Sequence, residues 1–84
     1  MTVVLHDENT IRLIGACPAE DGETLLQHLL ANPKAGVDWR GCESAHAAVI
    51  QVLLVSGRPL QGPPAGEFLR QFIGPALARS SGKV

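Results

Sequence analysis

The stretch from Val37 to Leu54, VDWRGCESAHAAVIQVLL, constrains the fold more than any other part of the chain. A short apolar segment, Gly36 to Trp39, suits an interior strand. The polar residues that follow read as a tight loop, and from Ala45 to Val55 apolar residues run almost all round the helical wheel. Such a helix is expected to be buried on more than one side. α/β proteins place working groups at strand-to-helix joints of this kind, which makes this joint the candidate position for a functional site.

The flanking sequence supplies the remaining elements. Thr2 to His6 and Thr10 to Ile14 are β-rich and separated by the turn-forming Asp7-Glu8-Asn9, which predicts an N-terminal hairpin. Ile11 and Leu13 alternate with Arg12, so one face of the second strand should meet a core and the other water. Gly15 and Pro18 are expected to end that strand. From Pro18 the spacing of Leu25, Leu26, Leu29 and Leu30 is helical, with Glu20, Asp21 and Glu23 near the start, where acidic groups suit the helix dipole, and Asn32-Pro33 should stop it. Ser56-Gly57 closes the apolar helix, Arg58 to Gln61 offers a short strand, and Gly62-Pro63-Pro64 is a rigid turn. A last helix carries Phe68, Leu69, Phe72 and Ile73, read as one core-facing stripe. Gly74-Pro75 should break or kink it. The order is β-β-α-β-α-β-α, an α/β chain with a small mixed sheet of about four strands and helices on one face. One domain is expected over residues 1 to 79, with a flexible tail over 80 to 84.

Eighty-four residues leave room for a single core with a modest stability margin. A formal net charge of -1 argues against a nucleic-acid binder, which must neutralise several phosphates. The opening MTVVLHDEN has neither the basic start nor the apolar stretch of a signal peptide, and the two cysteines, Cys17 and Cys42, then suit a reduced, cytoplasmic setting. Apolar runs such as Val52 to Val55 fall far short of the roughly 20 residues needed to cross a bilayer.

The element order, and above all DWRGCESAHAAVIQVLL from Asp38 to Leu54, resembles the STAS domain, the family named for sulfate transporters and anti-sigma-factor antagonists. Members typically carry a strand ending in Asp-Leu-Ser-Gly, a hydrophobic bridge, then Asp-Ser-Ser-Gly-Leu or Asp-Thr-Ser-Gly-Leu opening a helix. Laid on this chain without gaps, the first Asp falls on Asp38, the strand-end Gly on Gly41, the loop Asp on His46 and the two hydroxyl positions on Ala47 and Ala48. The likeness covers residues 2 to 77 in element order but only this stretch in residue detail. It implies a non-enzymatic regulatory module that docks on another protein: a histidine-kinase-like ATPase, an anti-sigma factor, a chemosensory component or a transporter ATPase. In the antagonist branch a helix-start Ser or Thr is phosphorylated, adding roughly two negative charges. Ala47 and Ala48 have no hydroxyl, so binding here should be constitutive or set by the partner's state.

On this reading Arg40, Glu43, Ser44, His46 and Ala47 form the partner-binding surface, and no catalytic, cofactor or metal residue is assigned. Ser44 reads either as a substitute phosphosite or, more simply, as a helix cap. His46 is either a charge switch near neutral pH or a neutral, hydrogen-bonded loop residue. Cys42 and His46, four apart, suggest an activated thiol or two metal ligands, but no third group or four-ligand spacing accompanies them. Glu20, Asp21 and Glu23 read as solvated dipole partners rather than an acid pair. The segment Gly62 to Gly66 lacks the Lys-Ser/Thr end of a phosphate loop, and its prolines remove N–H donors. Trp39 is either packed under a helix or an exposed anchor. An apolar line continuing through Ala76 and Leu77 offers a surface for a homodimer. A small-molecule sensor of a nucleotide, lipid or metabolite, bound near Trp39 and His46, is the alternative function.

Overall fold

Alternation along the second strand decides which side of the sheet is covered. In the computed structural model, which describes residues 2 to 77, β1 (Val3–Asp7) and β2 (Thr10–Cys17) form an antiparallel hairpin. Ile11 and Leu13 of β2 are fully buried while Arg12 and Ile14 are exposed. β3 (Gly36–Ala45) pairs in parallel with β2, and the two-residue β4 (Leu60–Gln61) pairs in parallel with β3, giving the order β1-β2-β3-β4. Val37 and Trp39 of β3 join Ile11 and Leu13 in one core with Leu25 and Leu29 of α1 (Asp21–Ala31) and Val49 and Leu53 of α2 (Ala47–Ser56). The helices therefore lie on one face of the mixed sheet. Each fully buried aliphatic side chain in that layer contributes roughly 1.5–3 kcal/mol.

β3 runs further than its sequence suggests. Arg40-Gly41-Cys42-Glu43-Ser44 was expected to leave the sheet as a loop, yet Gly41 to Ala45 stay paired with Ile14 to Cys17 of β2. β2 in turn does not end at Gly15: that residue takes a left-handed φ of 74° beside a register shift and lets the strand continue to Cys17. At each of the two register shifts β3 carries one residue more than β2, and pairing resumes beyond both, so neither segment leaves the ladder. Arg40, Glu43 and Ser44 are consequently strand residues, and Ser44 is no helix cap.

Two of the four leucines of α1 turn outward. Leu25 and Leu29 are buried, while Leu26 and Leu30 are exposed one position further round. The helix ends at Asn32, as expected, and its last carbonyls are tied down from a distance. The Arg58 guanidinium donates to Leu29 O (2.9 Å), Asn32 O (3.1 Å) and Ala35 O (2.7 Å). One side chain thus satisfies carbonyls that a helix C-terminus leaves open, with its positive charge at the negative end of the dipole.

The last helix, α3, spans residues 67 to 77, and its stretch Leu69–Ile73 is wound as a π-helix. Gly74 N–H donates to Leu69 O, five residues back, and Pro75 continues the helix instead of breaking it. A proline has no N–H to place in the ladder, and the wider turn accommodates it. Leu69 and Leu77 reach the core and Ile73 packs against it, whereas Phe68 and Phe72 point away with their rings 5.3 Å apart. The expected single core stripe is therefore two stripes: 69, 73 and 77 inward, 68 and 72 outward. The tail expected over residues 80 to 84 lies outside the described residues.

Among the described residues, no helix is long and apolar enough to cross a membrane.

Candidate functional site

The strand-to-helix joint is held by backbone bonds from both sides. His46 N–H donates to Cys17 O at the end of β2 (2.9 Å), and Gly66 N–H donates to Cys42 O (3.0 Å). His46 itself is the N-cap of α2: its backbone is extended, and Nδ1 accepts from Ala48 N–H at 3.0 Å. An acceptor at Nδ1 is an unprotonated nitrogen, so the ring proton of the capping imidazole sits on Nε2. The His46 side chain is thus a hydrogen-bonded helix cap. It satisfies one of the open donors of the first helical turn, the role Ser44 was expected to take.

Around that cap the exposed side chains are Glu43, Ser44, His46 and Ala47. They form one edge of the molecule, where β3 delivers the chain to α2. Ala48 is different. A Cβ placed on Gly22 of α1 would stand 3.2 Å from Ala48's Cβ and backbone, so the two helix starts are in close contact there. Of the two helix-start alanines, Ala47 faces solvent and Ala48 is packed against α1.

Arg40 does not belong to this edge. It lies on the uncovered face of the sheet, where Nε and Nη2 donate to both oxygens of Asp38 at 3.0 and 2.9 Å, and its backbone N–H donates to the same carboxylate at 3.1 Å. Arg12 of β2, opposite Asp38 in the register, adds a second guanidinium at 3.9 Å. The Arg40 hydrogen bonds chiefly, with the charge of Arg12, outweigh burial and hold the Asp38 carboxyl down at about 2. Sequence spacing had the signal for this cluster, since Asp38 and Arg40 are two apart on a strand and so share a face. A group lowered in the folded state stabilises above its unfolded value and loses that contribution as pH falls toward 2. We expect the urea midpoint to drop between pH 5 and pH 2 by the equivalent of about 1 kcal/mol more in wild type than in Asp38→Asn, a figure reduced for Arg40's exposure. Parallel pH profiles of the two proteins would show that Asp38 contributes nothing.

The Cys42–His46 pair is not assembled. Cys42 is buried, its Sγ 4.0 Å from Cys17 Sγ and 3.4 Å from Ser44 O, while His46 is exposed. Burial, with Cys17 beside it, pushes the Cys42 thiol up to about 12, and burial also raises Cys17. Neither sulfur is a thiolate near neutral pH, so both pack as small apolar groups. No group of three or more His, Cys, Asp or Glu side chains that could hold a metal ion occurs among the described residues. Comparison with protein-family models, curated proteins and solved structures finds no match to this chain.

Of the acidic trio on α1, Glu20 and Glu23 are exposed, but Asp21 is buried and accepts a hydrogen bond from the Thr2 hydroxyl, tying the helix start to the N-terminal segment. Trp39 is buried, as packing under a helix requires, beside a cleft of about 510 Å³ lined by Trp39, Leu60, Pro63, Pro64, Arg70 and Pro75 together with Gly62 and Gly74. That cleft is bounded by β4 and α3 and contains neither His46 nor its neighbours.

Proposed function

We propose that this protein is a non-enzymatic regulatory module that binds another protein through the edge formed by Glu43, Ser44, His46 and Ala47. The observation that supports it is the anchoring of that edge: Glu43 and Ser44 lie near the end of β3, His46 caps α2 and Ala47 opens it, and the joint is tied by the backbone bonds of His46 N–H to Cys17 O and Gly66 N–H to Cys42 O and by Ala48 N–H donating to the His46 imidazole. A surface that is already ordered binds without a large ordering cost. The element order β-β-α-β-α-β-helix and the residue pattern from Asp38 to Leu54 support a STAS-like reading, with a kinase-like ATPase, anti-sigma factor, chemosensory component or transporter ATPase as partner and a reducing, cytoplasmic setting for its two thiols. Arg40, on the sheet face, is outside the proposed contact.

Because the solvent-facing helix-start position is Ala47, the surface carries no hydroxyl to phosphorylate there and binding is set by the partner. Calorimetric titration against purified kinase-like ATPases from the same cell is expected to give at least about tenfold weaker binding for His46→Asp, Ala47→Ser than for wild type. Intact mass after incubation with those ATPases should stay unchanged. Equal affinities, or stoichiometric phosphate on the wild type near the joint, would overturn the reading. The cleft beside Trp39 favours a second reading, a sensor of a small apolar ligand with an anionic group for Arg70, which a rise in melting temperature with such ligands would support.

A further inference from the structure

The outer surface of the helical layer is the largest feature that the proposed contact leaves without a role. α2 contains no charged residue, and its outward stripe is Ala47, Gln51, Leu54 and Val55, at the spacing of one helix face. Gln51 borders two grooves. One, of about 210 Å³, is shared with Leu26 of α1 and with Val52, Val55 and Ser56. The other, of about 330 Å³, is shared with Ala47, Ile50, Leu54, Phe68 and Ile73. Leu30 extends the surface one turn along α1, and Phe72 extends it beside Phe68.

Six large apolar side chains on this surface are open to solvent: Leu26 at 43%, Leu30 at 72%, Leu54 at 46%, Val55 at 78%, Phe68 at 66% and Phe72 at 61% of their full area. Together they present roughly 600–700 Å² of apolar surface, at or above the roughly 300–600 Å² of the largest patch on a typical monomer. A stable interface needs about 800 Å² from each partner, which this surface reaches once Ala47, Ile50 and Gln51 are added. Residues 78 to 84, ARSSGKV, are mostly polar or small in sequence and poorly suited to cover it.

We propose that this face is the interface of a two-fold symmetric homodimer in which α2 crosses its own copy at Gln51. The stripe is self-complementary about that residue. In an antiparallel crossing centred on position 51, Ala47 of one copy stands opposite Val55 of the other, a small side chain against a large one, so the helices approach closely. Gln51 meets Gln51, and a carboxamide is both donor and acceptor, so the one polar group in the stripe is satisfied by its twin. The grooves on either side of α2 receive Leu54 and Val55 of the opposing copy.

A charge-pairing experiment tests the axis directly. Sedimentation of the full chain should show a wild-type dimer. Gln51→Glu and Gln51→Lys should each dissociate at least about tenfold more readily, because like charges meet on the axis, and an equimolar mixture of the two should recover the dimer. Position 51 is exposed, so circular dichroism and Trp39 emission should be unchanged in both variants. A wild type that is monomeric at every concentration would overturn the proposal. It would point instead to another protein as the occupant, or, if deleting residues 78 to 84 then produces a dimer, to the chain's own end. Dimers in all three proteins, or no recovery on mixing, would overturn the two-fold axis at Gln51. Ala47 is shared with the proposed partner contact, but Glu43, Ser44 and His46 lie outside the dimer face and position 51 lies outside the partner edge, so failure of either proposal is read separately from failure of the other.

Discussion

Gly66→Ala should be among the most damaging single methyl groups this chain can acquire. A Cβ at position 66 would overlap the Glu43 carbonyl oxygen and stand 2.7 Å from its carbon, with backbone on both sides of the clash and no flexible side chain to yield. Relief requires lifting the 62–66 segment off β3. That breaks the Gly66–Cys42 hydrogen bond and shifts the residues that lead into α3, including buried Leu69. Overpacking of a fixed site usually costs 1–3 kcal/mol, and the lost bond and displaced helix bring the expected total to about 3 kcal/mol or more. In a domain this small that is a large share of the whole. Urea unfolding followed by circular dichroism is the measurement, and a loss below about 1 kcal/mol would mean that the segment does not need its close seat on β3.

Trp39→Ala is expected to cost about as much for the opposite reason. Its indole fills the space between β3, the Gly62-Pro63-Pro64 turn and α3: a Cβ on Gly62 would be 2.5 Å from Nε1, and one on Gly74 3.9 Å from Cζ2. Truncation empties that space next to a cleft that already exists, so little of it can collapse. The expected loss is about 3–5 kcal/mol, with Trp39→Phe recovering a good part of it. Far-ultraviolet dichroism is the readout, since the variant removes the only tryptophan. A variant that unfolds at the wild-type urea concentration would show that the indole merely borders the cleft and supports nothing above it.

The elements with strong periodicity were legible from sequence. Alternation at Ile11 to Leu13 gave the covered face of the sheet, Asn32-Pro33 the end of α1, and Ser56-Gly57 the end of α2, where Gly57 takes a left-handed φ of 63°. What sequence concealed depends on pairing between distant segments. Gly41 to Ser44 have the composition of a turn, yet they stay in the sheet because β3 absorbs an extra residue at each of two register shifts against β2. Arg58 gives no local sign that its guanidinium reaches carbonyls 23 to 29 residues away. Phe68 and Phe72 have the spacing of core residues, and it is the neighbouring 69, 73, 77 line that wins the interior.

At the site, sequence located the joint but misassigned the groups within it. Histidine is an uncommon N-cap, so Ser44 was the natural choice on composition. The extension of β3 places Ser44 in the ladder and brings His46 to the helix start instead. Arg40 was grouped with Glu43 by proximity in the chain, whereas the pleat and the Asp38 carboxylate draw it onto the open sheet face.

The short β4 has a consequence for how copies of this protein meet. It covers only Val37 and Asp38 of β3, and such a margin would ordinarily recruit another chain's strand. Here Pro59 precedes β4 and Pro63 and Pro64 follow it, which removes donors, and Gly66 N–H occupies the Cys42 carbonyl, which removes an acceptor, so an incoming strand finds few free groups to pair with. At the opposite margin β1 loses register between Leu5 and Asp7, beside the polar His6, Asp7 and Glu8. Both sides of the sheet are thereby poor templates for cross-β stacking. A concentrated solution should resist fibril growth even where it self-associates.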